Sequence, residues 1–449
     1  MPSTRTAPVF ALPLLLIAAA CGGDDTAAPT ATTLPPDSTV ANTAPPVDDP
    51  GDTTTDTTTP DTTTDTTSPD TTTPDTTTPA TATTAPVTTA TTTPPTTDPP
   101  AAEWAPIGPG PYEVGVATVI VGDPDRVRPL TVDVWFPLGG DADPEALVPQ
   151  QYTLLPGVYF ESPDAFAAVP EQLSTDGPFP LVVYSHGSGG IRYLHSSYTE
   201  ALASHGYVVA APDHTGNTVF DRFTGDGAPI EEIAFERPND VARVITAFTE
   251  VAHPTAGVFA GAVDDQRIAV TGHSFGGYTA IALATGVTTT LGEFAADDRV
   301  DAIILLAPAS GEALLTDERL AAIDVPMMVV VGTDDTTTPV DPNVTRLWDI
   351  ATNAPAYRVE LVAGEHQTFT DLCAYGEFLP LLPDVPELVV TTIEDFGAEG
   401  CSEGDIDAER AADITNTYVV QFLDQVFRDG PVIDDTMVTP PVDVVFARR

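Results

Sequence analysis

The stretch Ile268-Ala269-Val270-Thr271-Gly272-His273-Ser274-Phe275-Gly276-Gly277 decides the fold of this chain. Its first four residues form a short, largely apolar run, the pattern of a strand covered on both faces in a parallel sheet. From Gly276 to Thr285 the spacing becomes helical. Between strand and helix the chain reverses within a few residues. Gly272 and Gly276 flank Ser274 and remove the side chains that would clash in so tight a turn. A serine held there takes a strained backbone. Its hydroxyl stands out at the C-terminal end of the strand, beside a helix N-terminus that favours developing negative charge.

The same alternation continues outward. Upstream, Val114–Val121 and Leu130–Phe136 read as an antiparallel opening pair, and Leu181–Tyr184 and Tyr207–Ala211 as central strands. Downstream, Ala302–Leu306 and Met327–Val331 are of the central kind. Tyr357–Val362 alternates apolar with charged residues and reads as a last strand nearer the sheet edge. Helical spacing falls near Ser197–Ser204, Asn239–Val251, Val344–Ala351 and Asp407–Arg428. This order predicts an α/β fold with a mostly parallel central sheet and helices on both faces. Thr215–Glu236 is long, Gly-containing and irregular, and it follows the C-terminal end of a strand, which predicts a pocket wall or lid.

A serine hydroxyl is a poor nucleophile without a base. Of the seven His, five precede Ser274 and His273 adjoins it; only His366, in Gly364-Glu365-His366-Gln367, follows it. The α/β-hydrolase chain order is nucleophile, acid, His, which gives His366 the general-base role. The acid falls on the turn after Met327–Val331, where Asp334 and Asp335 compete. The G-x-x-D-x-x-x-P spacing from Gly332 to Pro339 selects Asp335. Its task is to accept the His Nδ1 proton, fix the tautomer and stabilise the imidazolium. Two backbone N–H groups are expected to receive the oxyanion: that of Phe275, after the nucleophile, and that of Ser188, in the loop Ser185-His186-Gly187-Ser188-Gly189-Gly190. His186 reads as a buried structural residue of that loop. No cofactor and no metal are expected.

Charge and composition exclude other classes. Asp and Glu number 66 against 16 basic residues, all Arg, for a formal net charge of −50. Such a surface repels phosphate backbones, so a nucleic-acid partner is excluded. Residues 24–102 are almost wholly Thr, Pro, Asp and Ala, with 27 Thr between positions 51 and 100. That segment cannot bury enough apolar surface to offset chain entropy and reads as a tether. Ahead of it, Arg5 and the apolar run Val9–Ala20 have the form of a signal peptide, too short to span a bilayer. The small residues Ala18-Ala19-Ala20 before Cys21 resemble a bacterial lipobox, although Leu is usual where Ala18 stands. The division is therefore 1–21 signal peptide and lipidation Cys, 22–102 tether, and 103–449 catalytic domain. In an exported domain the two remaining thiols, Cys373 and Cys401, read as one disulfide.

Three segments carry a family resemblance: LVVYSHGSGGIRYLHSSYTEALASHGYVVAAPDH at 181–214, VTGHSFGG at 270–277 and HQTFTD at 366–371. They resemble the plasma-type platelet-activating factor acetylhydrolases and the related bacterial predicted dienelactone hydrolases, over about Val114 to Phe427. The resemblance implies the α/β-hydrolase fold, no metal, and hydrolysis of short or oxidised acyl esters. It implies Ser274 as nucleophile, His366 as base, and the Phe275 and Ser188 amides as oxyanion donors. One position departs. In that family the acid follows the strand after the nucleophile helix, and here Ala307 stands there. The acid then comes one strand later, as in bacterial polyesterases and cutinase-like esterases.

The expectation is an exported serine hydrolase, lipid-anchored to the extracytoplasmic face of the membrane, acting on small-molecule, lipid or polymer esters. Two alternatives stand beside it: a polyesterase, cutinase-like or lipase activity, and a non-catalytic surface-binding lipoprotein on a hydrolase scaffold. Oligomeric state is not legible. For the anchor, radiolabelled fatty acid should enter the wild-type chain and not Cys21→Ser; equal release of both into the medium would remove the anchor.

Overall fold

The computed structural model describes residues 104–123, 126–140, 146–155, 157–254, 256–383, 385–433 and 442–449. The expected signal peptide, Cys21 and the tether lie outside the described residues.

Two antiparallel pairs open the fold: β1 (Val114–Asp123) with β2 (Arg126–Pro137), and β3 (Pro149–Leu155) with β4 (Val158–Ala167). Then follow β5 (Phe179–Ser185), α1 (Ser196–Ser204), β6 (Val208–Pro212), α2 (Val219–Thr224), α3 (Ile230–Thr249), β7 (Val263–His273) and α4 (Phe275–Thr285). A small hairpin comes next, β8 (Val287–Thr289) and β9 (Gly292–Phe294). The rest is β10 (Ala302–Leu306), α5 (Asp317–Ala321), β11 (Met327–Gly332), α6 (Arg346–Ile350), β12 (Ala356–Leu361), α7 (Leu372–Phe378), α8 (Glu387–Gly397), α9 (Ala408–Arg428) and β13 (Val444–Arg448). The main sheet runs β13-β12-β11-β10-β7-β5-β6-β2-β1-β4-β3. Within it β12, β11, β10, β7, β5 and β6 are parallel to their neighbours in that series.

The apolar runs become central strands because both of their faces are covered. Every residue of β5, β6, β10 and β11 is buried. In β5 the period of two splits the core: Leu181 and Val183 pack with Val244 of α3 and Ile281 of α4, whereas Val182 and Tyr184 pack with Leu202 of α1 and Phe422 of α9. This is the α/β-hydrolase architecture expected from the alternation.

Three readings change. Tyr357–Val362 lies near the sheet edge as expected but is not the last strand: β13 pairs antiparallel with β12 and forms that edge. The pair β3–β4 was hidden because Pro163 interrupts β4, where the β3–β4 register shifts. Thr215–Glu236 is not irregular throughout, since α2 lies inside it and α3 begins at Ile230 and runs through Pro238. A proline inside a helix leaves the carbonyl four residues earlier without its N–H donor. Here that carbonyl belongs to Ala234, and the Tyr278 hydroxyl of α4 donates to it at 3.0 Å.

One buried polar network ties the antiparallel pairs to α1. Trp135 Nε1 donates to Tyr152 Oη at 2.8 Å, Tyr152 Oη donates to Glu200 Oε1 at 2.6 Å, and Ser162 Oγ donates to Glu200 Oε2 at 3.0 Å. Burial pushes the Glu200 carboxyl up to about 8 against the opposing pull of the two hydroxyls. The folded protein then holds this proton more tightly than the unfolded chain. The stabilisation is fully present below the ordinary carboxylate pKa and is lost as pH rises toward about 8, at up to about 1.4 kcal/mol per pH unit. Urea unfolding between pH 5 and pH 8 should show this decline, and Glu200→Gln should flatten it; parallel curves for the two proteins would refute it.

Candidate active site

Four loops at the C-terminal ends of β5, β7, β11 and β12 converge, and each carries one part of the predicted constellation. Ser274 occupies the elbow between β7 and α4 with φ 55° and ψ −116°, the strained conformation expected of it. The turn is this tight because a Cβ on Gly276 would lie 1.8 Å from the Ser185 carbonyl oxygen. The elbow is fixed to the end of β10 by Ser274 N–H donating to the Leu306 carbonyl and Ala309 N–H donating to the Ser274 carbonyl, both at 2.9 Å.

His366 and Asp335 meet as expected, with Nδ1 2.9 Å from Oδ2 and both side chains buried. Thr338, which the sequence reading did not single out, completes the pair. Its N–H donates to Asp335 Oδ1 at 2.7 Å. Its hydroxyl oxygen lies 2.8 Å from Asp335 Oδ2, 3.0 Å from the Ala307 carbonyl and 3.2 Å from His366 Nδ1. Burial pushes the Asp335 carboxyl up, but His366 and the Thr338 donors outweigh it and hold it below the usual carboxylate value. Asp334 instead accepts from the Thr333 hydroxyl at 2.8 Å, an exposed contact. His273, beside the nucleophile position, has Nε2 2.8 Å from the His366 carbonyl and its ring centroid 4.7 Å from that of His366. The His366 backbone is thereby tied to the elbow.

Gly187 places the β5 loop against the elbow, since its Cβ position is 3.4 Å from Ser274 Cβ. Gly189 N–H donates to the Asn217 carbonyl and Gly190 N–H to the Gly187 carbonyl. That leaves the N–H groups of Gly187 and Ser188 without an acceptor among the described residues. His186 is fully buried, as expected. Its Nδ1 faces the Gly187 carbonyl at 2.7 Å and its Nε2 accepts His214 N–H at 3.2 Å.

A second Ser-His-Asp set lies under this loop. Ser185 Oγ is 3.0 Å from His214 Nε2, and His214 Nδ1 is 2.9 Å from Asp240 Oδ2. All three residues are 0% exposed, so no substrate reaches Ser185, and the set holds β5 to α3. Asp240 is further tied to Arg128 at 2.6 Å and to Arg243.

The segment after His366 clamps the site from outside. Cys373 and Cys401 form the expected disulfide. Beside it, the Glu399 carboxylate accepts from the hydroxyls of Thr336 and Thr337 on the acid loop, and the Glu399 carbonyl accepts Gln367 N–H at 2.6 Å. One residue thus grips both the acid turn and the base turn.

This fold and this arrangement define an α/β-hydrolase. The family model for platelet-activating factor acetylhydrolase, isoform II, matches residues 151–224. The chain is 27% identical over 160 residues to the platelet-activating factor acetylhydrolase of Bos taurus, covering 28% of this chain and 36% of that protein. It is 25% identical over 224 residues to that of Cavia porcellus, covering 39% and 51%. The matched region thus spans from about a third to about half of the relatives' length. Among solved structures, a ferulic acid esterase from Streptomyces cinnamoneus superimposes with a TM-score of 0.54 at 24% identity, over 76% of this chain and 98% of that one. The chain thus has the α/β-hydrolase fold and, over part of its length, is similar to the platelet-activating factor acetylhydrolases.

The disulfide spans 28 residues of sequence and should contribute about 3 kcal/mol on the chain-entropy model. The wild type under reductant and the double variant Cys373→Ser/Cys401→Ser should unfold at the same lowered urea concentration. A double variant as stable as the oxidised wild type would contradict this.

Proposed function

We propose that this chain is an exported carboxylic ester hydrolase that works through an acyl-enzyme on Ser274. The observation that carries the reading is the strained Ser274 elbow facing a loop with free N–H groups, beside a buried, ionised Asp335 paired to His366 Nδ1. In the first half-reaction His366 Nε2 takes the Ser274 proton as Oγ bonds to the ester carbonyl carbon. The carbonyl π pair moves to oxygen, where the N–H groups of Phe275 and Ser188 receive it. Collapse expels the alkoxide, which leaves as the alcohol with the His366 proton. Water then repeats the sequence and releases the acid. Asp335 stays charged throughout and stabilises the imidazolium.

Likeness to the platelet-activating factor acetylhydrolases supports short-chain or oxidised acyl esters as the substrate class. The lipobox-like leader and Thr/Pro/Asp tether support a lipid-anchored enzyme outside the membrane. A polyesterase or cutinase-like activity is the second reading, favoured by the acid standing after β11 with Ala307 at the end of β10. A non-catalytic scaffold is disfavoured because nucleophile, base and acid are all present.

A p-nitrophenyl ester series of increasing acyl length, run beside a phospholipid and a polyester film, tests the class. Turnover should vanish in Ser274→Ala, and activity that survives this change would sink the proposal. Asp335→Asn should lower kcat by about 10⁴ with the fold retained, and Asp334→Asn by less than about tenfold. Ala307→Asp in the Asp335→Asn background should restore part of the rate. Ala307 already adopts φ 43°, a conformation Asp tolerates better than most residues. The reverse ranking of Asp334 and Asp335 would move the acid by one residue.

A further inference from the structure

Arg237 is fully buried in α3, directly under the loop that follows β5. Burying a guanidinium is costly unless its donors are used and its charge is answered. Its bonds go to the end of β5, to the loop and to Asn217, and its buried Nε has no acceptor among the described residues. One terminal nitrogen donates to the His186 carbonyl and, at 2.9 Å, to Ser185 Oγ; the other donates to Asn217 Oδ1 at 2.8 Å. No carboxylate lies within ion-pair distance of it among the described residues; Asp240, tied to Arg128, Arg243 and His214, is the main charge that offsets it from farther away. Phe275, whose N–H is the other expected oxyanion donor, has its ring centroid 5.3 Å from the guanidinium carbon.

The hydrogen bond to the His186 carbonyl sets a direction. In a trans peptide the C=O and the N–H point opposite ways. A His186 carbonyl drawn down onto Arg237 turns the Gly187 N–H away from it. The next peptide is pinned in the same manner, since the Gly187 carbonyl faces His186 Nδ1 at 2.7 Å and accepts Gly190 N–H at 3.0 Å, which orients the Ser188 N–H. Asn217, gripped by Arg237, donates to Ser188 Oγ at 3.2 Å and accepts Gly189 N–H at 3.1 Å. Most fixed points of the loop lead back to Arg237 or to His186, whose carbonyl Arg237 holds; the others are Arg222, which donates to Ser188 Oγ at 2.9 Å, and Val219 N–H, which donates to the Gly190 carbonyl at 3.2 Å.

We infer that Arg237 is the positioning residue of the oxyanion loop: it aims the Gly187 and Ser188 N–H groups and sets a positive charge beneath the oxygen that becomes negative in the transition state. The inference rests on the hydrolase reading above. It adds Gly187 N–H to the Ser188 and Phe275 donors. A guanidinium with no carboxylate in direct contact is drawn most strongly to the charge of the tetrahedral oxyanion, so its effect belongs to the transition state rather than to substrate binding.

The test uses the full chain, with active sites counted by fluorophosphonate labelling of Ser274. Its probes are p-nitrophenyl butyrate and an alkylboronic acid, which forms a tetrahedral anion on the serine. Arg237→Met should lower kcat per labelled site about 10²-fold with KM within threefold, and the boronate Ki should rise by the same factor as kcat falls. Arg237→Lys keeps the charge but loses the fork and should fall between. Asn217→Ala removes the side-chain link from Arg237 to Ser188 Oγ while keeping the backbone carbonyl that accepts Gly189 N–H, and should cost about tenfold with thermal stability near wild type. A merely structural arginine would reduce the labelled fraction and the melting temperature while each labelled site kept its kcat and boronate Ki; that result overturns the inference. If Arg237→Met does not fold, the Lys and Asn217 variants decide by the same two readouts. A wild type that fluorophosphonate does not label at Ser274 would refute the hydrolase reading itself, and this inference with it.

Discussion

The structure depends on one backbone-to-backbone contact, the approach of the β7–α4 elbow to the end of β5. A Cβ on Gly272 would lie 2.6 Å from the Ser185 carbonyl oxygen, and one on Gly276 closer still. No side chain fits between the two strands' ends. Because they touch directly, the elbow and the β5 loop are held as one rigid piece, with Gly187 against Ser274. The strain at Ser274 is supported from three sides: the β5 end, the Leu306 carbonyl, and the Ala309 N–H from beyond β10. Such over-determination is what lets a residue persist in a sparsely populated conformation.

Electrostatics under the site follow from the same close packing. Burial pushes His186, His195, His214 and His273 below the usual imidazole range, so all four are neutral near pH 7. The His366–Asp335 pair therefore stands among neutral imidazoles, and the charges that matter are few. Asp335 is ionised because hydrogen bonds outweigh its burial. Burial lowers Arg237 to about 9, which still leaves it charged at neutral pH. The second set, Ser185-His214-Asp240, shows that distances alone do not define an active serine. Its hydroxyl is sealed, and Arg237 donates to it at 2.9 Å.

How much of this is legible in the sequence depends on how local each constraint is. The elbow is readable because its glycines, serine and flanking strand are contiguous. His366 is readable because a single His follows Ser274, and Asp335 because its turn carries its own spacing to Pro339. Partners distant in sequence leave no such trace. Nothing near Pro238 signals that Tyr278 answers the carbonyl it frees, so the helix reads as starting after the proline. Likewise β13 pairs with a strand 83 or more positions earlier, across the α7–α9 excursion. Glu399 and Arg237 are ordinary charged residues until the fold brings them to their loops. Thr338 sits in a run of three threonines, and only the geometry separates it from Thr336 and Thr337, which turn outward to Glu399.

The position of the acid then has a physical explanation. β10 and β11 are adjacent and parallel, in register from Ile303 with Met327 to Leu306 with Val330. Their ends therefore emerge side by side, and a carboxylate leaving either one approaches the same imidazole edge. At the end of β10, Ala307 holds φ 43°, an uncommon conformation for a residue with a side chain. What replaces a side chain there is the Ala307 carbonyl, joined through the Thr338 hydroxyl to both Asp335 and His366. The main chain of β10 thus still contributes to orienting the base although its residue carries no acid. A carboxylate can pass from one strand to the next while the nucleophile, the base and the oxyanion loop stay where they are. Which strand end carries the carboxylate therefore does not by itself decide the ester bound, and discrimination among esters falls to the walls of the pocket.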